Sequence, residues 1–166
     1  IRIPLGNNHL KKEEMVEHSL ENRMVLQSHP YELEKPEKKK IGRSKTNYRV
    51  LVVDDDDEVR EFLQMELGGI YRVMTAKNGN EGLRLALAQL PDLIVSDVVM
   101  PEMDGFTLVK KLKGNGNTSH IPVILLTSKA EHPDRIQGLD KGADAYLTKP
   151  FIVEELSTMI ASLIAN

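Results

Sequence analysis

Two short stretches hold most of the chemistry available to this chain, and both are acidic. One ends at Asp97: Leu93-Ile94-Val95-Ser96 runs up to a lone carboxylate, and Met100-Pro101-Glu102-Met103-Asp104-Gly105 follows closely. A short apolar run bounded by turn residues reads as a strand buried on both faces. The other stretch is Asp54-Asp55-Asp56-Asp57, directly after the apolar Val50-Leu51-Val52-Val53. An acid at a strand's C-terminal end lies at the mouth of a sheet, where open α/β folds place their chemistry. Alone, Asp97 would serve as well for capping the next loop. A second acidic cluster at a matching strand end tips the reading toward a site.

The elements that must position these acids follow from a regular alternation. Apolar runs recur at Val50-Leu51-Val52-Val53, Tyr71-Arg72-Val73-Met74, Leu93-Ile94-Val95, Val123-Ile124-Leu125-Leu126 and Ala145-Tyr146-Leu147. After each comes helical spacing: Val59, Phe62, Leu63 and Leu67; Leu83, Ala86, Leu87 and Leu90; Phe106, Val109 and Leu112; Ile136 and Leu139; Val153, Leu156, Ile160 and Leu163. Alternating β and α units predict an α/β fold, a parallel sheet covered on both faces. Right-handed crossovers leave few windings. The doubly wound, flavodoxin-like order 2-1-3-4-5 is the common five-stranded one, with its switch point between strands 1 and 3. The second run is the least apolar, as suits an edge strand.

In that topology the acids ending strands 1 and 3 converge in one crevice. Carboxylates held close together raise one another's pKa unless a cation is present. Oxygen ligands with no His or Cys nearby suit a hard divalent ion, and Mg²⁺ sharing a phosphate oxygen fits best. Asp54 and Asp55 lie nearest the strand end, while Asp56 or Asp57 is better placed as N-cap of the following helix. Strand 4 finishes Leu125-Leu126-Thr127-Ser128, bringing a hydroxyl. Strand 5 finishes Leu147-Thr148-Lys149-Pro150-Phe151, bringing an ammonium. Cation, hydroxyl and ammonium together form a site for a phosphoryl group. Asp97 is then the nucleophile, forming an aspartyl phosphate.

The remaining features set bounds. A length of 166 residues allows one domain of usual size plus an appendage, and a net charge of -3 offers no global attraction for nucleic acid or anionic lipid. The absence of cysteine excludes disulfides and thiolate metal sites and is compatible with a cytoplasmic setting. No apolar run is long enough to cross a bilayer, so no membrane contact is expected of this stretch, although a longer parent with a membrane anchor is compatible with it. Starting at Ile1 rather than Met, the chain reads as a piece of something longer. Residues 1–47 form an N-terminal extension. A short strand-like segment from Ile1 to Gly6 precedes a thinly amphipathic helix, then a charged tether containing Lys38-Lys39-Lys40. The tether has no nucleic-acid-binding motif.

From residue 48 to 166 the chain closely resembles the receiver (response-regulator) domain of bacterial two-component signalling. The motifs carrying the resemblance are Val52-Val53-Asp54-Asp55, Asp97 with Met100-Pro101-Glu102-Met103-Asp104-Gly105, Thr127, and Lys149-Pro150-Phe151. The resemblance implies that Asp97 accepts phosphate from a phosphohistidine. It implies Mg²⁺ bound directly by Asp55, through water by Asp54, and further by Asp97 and the Val99 carbonyl. Thr127 and Lys149 would hold the phosphoryl oxygens, and the Lys149–Pro150 bond is expected cis. On phosphorylation Thr127 would move toward the phosphoryl group and Tyr146 would turn into the space left, changing the surface of the fourth helix, fifth strand and fifth helix.

Expected partners are a histidine-kinase phosphodonor domain, in the same parent chain or a separate one, and a downstream effector domain. Ile1 to Gly6 weakly resembles the last strand of a kinase ATP-binding domain, pointing to a hybrid sensor kinase as parent. No nucleotide-binding motif is present. His9, His18, His29, His120 and His132 lack a phosphodonor context and read as surface residues. The first strand and helix of the extension are candidates to dock on the receiver or on a second copy, the latter giving a homodimer. Two other functions compete with the switch: an aspartate-nucleophile phosphohydrolase, and a receiver used only as an interaction module. Phosphohydrolases of that kind commonly carry a second acid two residues after the nucleophile, where this chain has Val99. A flavodoxin-type cofactor binder is disfavoured, because four Asp after strand 1 would repel a phosphate.

Overall fold

The computed structural model describes residues 45–128 and 142–166. The extension before residue 45 and the helix expected around Ile136 and Leu139 lie outside them. The described elements run β1 (Arg49–Val53), α1 (Asp57–Leu67), β2 (Arg72–Ala76), α2 (Gly79–Gln89), β3 (Leu93–Asp97), α3 (Gly105–Lys113), β4 (Val123–Thr127), β5 (Ala145–Thr148) and α4 (Val153–Ala165). All five strands are parallel, in the order β2-β1-β3-β4-β5.

Burial explains the order. β4 is buried along its whole length, and β1 and β3 are buried at all but one terminal residue, so these three carry unbroken aliphatic runs. β2 and β5 are only partly buried and take the edges. Alternation then divides the side chains between two faces. Leu51, Val53, Ile94, Val123 and Leu125 share one core cluster with Ala86 of α2 and Leu108, Val109 and Leu112 of α3. Val50, Val52, Val95, Ile124 and Leu126 point to the other face, which draws on Val59, Leu63 and Leu67 of α1 and Leu156 and Ile160 of α4.

Two expectations shift in detail. The second strand begins at Arg72 and extends to Ala76, leaving Tyr71 buried just ahead of it. The expected apolar face of α2 turns out differently: Leu87 and Leu90 are exposed, while Gly79, Gly82 and Ala86 are buried. This helix lies close on the sheet through its small residues. A Cβ on Gly82 would come within 2.8 Å of a Val53 methyl. Leu90 follows the helix as a left-handed C-cap, φ 46°, outside its apolar stripe.

Helix starts are fixed by side-chain acceptors at free backbone N–H groups. Asp56 accepts from Glu58 and Val59, Asn78 from Glu81, and Asp104 from Thr107. The expected choice between Asp56 and Asp57 as N-cap therefore falls on Asp56.

Candidate functional site

Register brings the acids together. Val53 pairs with Ser96 across β1 and β3, so the next residues, Asp54 and Asp97, leave the sheet at the same level. Carboxylate oxygens of Asp54, Asp55 and Asp97 all lie within 4.8 Å of one another. Asp54 is buried, Asp97 half-buried and Asp55 exposed, so the cluster opens from the sheet toward solvent.

Two of the three carboxylates, Asp54 and Asp97, are held from one side. Asp54 Oδ1 accepts the Asp56 N–H at 2.9 Å. Its Oδ2 is buried without a hydrogen bond and faces the Lys149 ammonium at 3.6 Å, an ion pair beyond hydrogen-bond range. Asp97 Oδ1 accepts the Val98 N–H at 2.9 Å and meets Lys149 Nζ at 3.2 Å. Burial pushes the Asp54 carboxyl up to about 6 from its ordinary 3.8; the Lys149 charge and the Asp56 N–H pull it back only in part. Burial also raises Asp97, against the Lys149 charge and hydrogen bond and the Val98 N–H, and the Asp55 charge adds to the rise.

The other expected residues lie on β4, on β5 and in the loops that follow β3 and β5. Thr127 is buried at the end of β4, and its carbonyl accepts the Lys149 N–H at 2.6 Å, tying the lysine's backbone to the hydroxyl-bearing strand. The Lys149–Pro150 bond is cis, as expected. Tyr146 is half-buried in β5, paired in register with Leu125, and packs on the core. Val99 follows Asp97 closely and exposes its side chain to solvent. His120 is on the surface; the other four histidines lie outside the described residues.

Two contributors stood in the motif after Asp97 without a role of their own, and a third, Arg60, went unmarked. Gly105 allows close packing: a Cβ there would lie 2.4 Å from the Asp97 carbonyl oxygen and 2.9 Å from Val98 Cα. Asp104 caps α3 and so anchors the far end of the loop after Asp97. The Asp-Gly pair ahead of helical spacing, read as part of that motif, is also a helix-start signal. Arg60 donates to the Asp54 carbonyl from α1, and nothing in its sequence context marks it.

A buried carboxylate oxygen with no hydrogen bond, set among two more carboxylates at a sheet mouth, fits a hard divalent cation. The donor set is all oxygen. Fold and site together define a doubly wound parallel α/β domain with an acidic crevice at its topological switch point. Residues 50–161 match the family model of the response regulator receiver domain, and the chain belongs to that family, the receiver domains of two-component signalling. Among curated relatives, histidine kinase P4 of Formosa agariphila is 37% identical over 172 residues, covering 100% of this chain and 12% of that protein. The response regulator PleD of Caulobacter vibrioides is 46% identical over 116 residues, 69% of this chain and 26% of PleD. RpaA of Synechocystis, a DNA-binding transcriptional regulator, is 42% identical over 118 residues, 70% of this chain. The chain spans half or less of each of these relatives, 48% in the case of RpaA. Among solved structures, the signal receiver domain of a Syntrophus aciditrophicus signal transduction histidine kinase superposes with TM-score 0.65 at 38% identity. It covers 71% of this chain and 90% of that one. The chemotaxis protein CheY4 of Vibrio cholerae gives TM-score 0.65 at 33% identity, over 71% of this chain and 99% of CheY4.

Proposed function

We propose that this chain is a phosphoacceptor switch in which Asp97 takes a phosphoryl group from a phosphohistidine. The supporting observation is the meeting of Asp54, Asp55 and Asp97 within 4.8 Å beside one ammonium, at the end of a buried sheet. Asp97 Oδ1 is engaged by Val98 and Lys149, which leaves Oδ2 to attack phosphorus. An O–P bond forms, the P–N bond breaks, and its electron pair returns to the imidazole. Lys149 and the Thr127 hydroxyl would take the phosphoryl oxygens, and the lysine charge would offset theirs; the support is Lys149 Nζ at 3.2 Å from Asp97. Asp54, Asp55, Asp97 and the Val99 carbonyl would hold Mg²⁺. When bound, that ion supplies positive charge against the phosphoryl oxygens.

The output is conformational. Thr127 and Lys149 are linked through backbone at 2.6 Å, and Tyr146 lies on the next strand, so a pull on Thr127 is felt at β5. The protein acts on itself and is not an enzyme for outside substrates. Val99, rather than an acid, stands two residues past the nucleophile.

The parent is a hybrid histidine kinase. The kinase relative aligns with the whole chain, including residues 1–47, whereas PleD and RpaA align with about seven tenths of it. Residues 1–47 then connect a kinase ATP-binding domain to the receiver at 48–166. The donor is a histidine-kinase phosphodonor domain, the recipient an effector domain, and the setting cytoplasmic. No helix among the described residues is long and apolar enough to cross a membrane.

Incubation with Mg²⁺ and acetyl phosphate, followed by intact-mass measurement, tests the reading. The wild type gains one phosphate and Asp97→Ala gains none. Equal gain in the mutant, or none in either, refutes it.

A further inference from the structure

Arg60 is neither a strand-end acid nor a phosphoryl-facing cation, yet it is built into the same corner. It sits one turn into α1, and its side chain is only 14% exposed. Nη1 donates to the backbone carbonyl of Asp54 at 2.6 Å, and Nη2 pairs with the Asp57 carboxylate. A guanidinium offers a planar fork of donors, so two contacts fix its plane as one contact would not.

That carbonyl belongs to the peptide joining Asp54 to Asp55. Rotation of this peptide plane swings the Asp55 side chain relative to Asp54. The other ties on the loop act on either side of it. The Asp54 N–H donates to Ala76 in β2, and the Asp56 N–H donates to Asp54 Oδ1. The guanidinium acts on the Asp54 carbonyl itself.

We propose that Arg60 is a positioning residue for the divalent-cation site, holding the Asp54–Asp55 peptide so that both carboxylates face Asp97. The inference rests on the magnesium reading given above. Arg60 touches neither the ion nor the phosphoryl group; it acts through the backbone.

Charge alone and positioning predict opposite signs. Arg60 is a cation beside a cation site, so if it acted only through its field, removing it would tighten Mg²⁺ binding. If it holds the peptide, removing it loosens binding, by about tenfold or more as for other groups that orient metal ligands. The measurement is calorimetric titration of Mg²⁺ into the 166-residue chain: wild type, Arg60→Met, Arg60→Lys and Asp55→Asn. Arg60→Met is expected to weaken Mg²⁺ binding, and Arg60→Lys to weaken it less, since one ammonium cannot grip carbonyl and carboxylate as a fork does. At saturating Mg²⁺ the phosphorylation rate of Arg60→Met returns toward wild type, a split between affinity and rate that a general loss of fold would not give. Unchanged or tighter Mg²⁺ binding by folded Arg60→Met overturns the proposal. Should that variant not fold, unchanged or tighter binding by Arg60→Lys overturns it. Wild-type protein that binds no Mg²⁺ refutes the cation site and this inference with it. Binding that Asp55→Asn abolishes and Arg60→Met leaves intact refutes the role of Arg60 alone.

Discussion

Asp54→Asn is expected to stabilise the metal-free protein while removing its capacity for Mg²⁺. Asp54 is 1% exposed, and burial lifts its carboxyl from 3.8 to about 6. The folded-state value lies above the unfolded one, so between them the native protein keeps a proton that the unfolded chain has released. The group's effect on stability is therefore small at pH 4, turns against the fold as pH rises toward 6, and stays level above it. A gap of about 2 units at ~1.4 kcal/mol each puts the neutral-pH penalty near 3 kcal/mol. Asparagine keeps the Oδ1 acceptor that the Asp56 N–H uses, and the attraction to Lys149 that it forfeits is already counted in the value of about 6. The net gain at pH 8 is then on the order of 3 kcal/mol.

Urea unfolding followed by far-ultraviolet circular dichroism, in chelator, at pH 4, 6 and 8, measures the difference; the chain has no tryptophan for fluorescence. The mutant should exceed wild type at pH 8 and match it closely at pH 4. Mg²⁺ at a thousand times its dissociation constant, worth about 4.1 kcal/mol, should reverse the order. At a hundred times its dissociation constant a ligand adds about 2.7 kcal/mol to the protein that binds it. A mutant advantage that is flat with pH, or absent at pH 8, refutes the claim that burial of this carboxylate opposes folding.

Two further perturbations act on the same corner. Lys149→Met removes the ammonium at 3.2 Å from Asp97 and 3.6 Å from Asp54. Phosphorylation should fall about 100-fold or more, seen by intact mass over time, while Mg²⁺ affinity holds or rises because a repelling charge has gone. Gly105→Ala would set a Cβ 2.4 Å from the Asp97 carbonyl oxygen, a clash with backbone that no rotamer relieves. It should cost about 1–3 kcal/mol in urea unfolding and slow phosphorylation by displacing Asp97.

Much of this was legible because a parallel sheet writes itself plainly. The unbroken aliphatic runs before Asp54, Asp97 and Thr127 identified the strands, and strand order with right-handed winding put their ends together. Boundaries were less legible where packing overrode pattern. The expected stripe of α2 pointed to Leu87 and Leu90, but the helix leans on Gly79 and Gly82, whose missing side chains carry no hydrophobic signal. Arg60 was illegible for a different reason. Its partner is a backbone carbonyl, and backbone acceptors are identical at every position of a sequence.

The run Asp54-Asp55-Asp56-Asp57 shows why composition alone understates a site. Four like charges in a row would be a liability if all did the same work, but the fold divides them. Asp56 is spent on the free N–H groups opening α1, and Asp57 is matched by Arg60. Asp54 and Asp55 remain, and Asp97 joins them from β3. Three carboxylates against the single Lys149 ammonium leave two negative charges uncompensated when all are ionised. A divalent cation balances that number, a monovalent one does not, and a phosphoryl group carrying its own negative charge meets repulsion until the balance is reached. On the proposed reading, the cation is therefore expected to be bound before the phosphoryl group is transferred. With acetyl phosphate as donor, the phosphorylation rate should saturate with Mg²⁺ and vanish in chelator; a rate undiminished in chelator refutes the requirement.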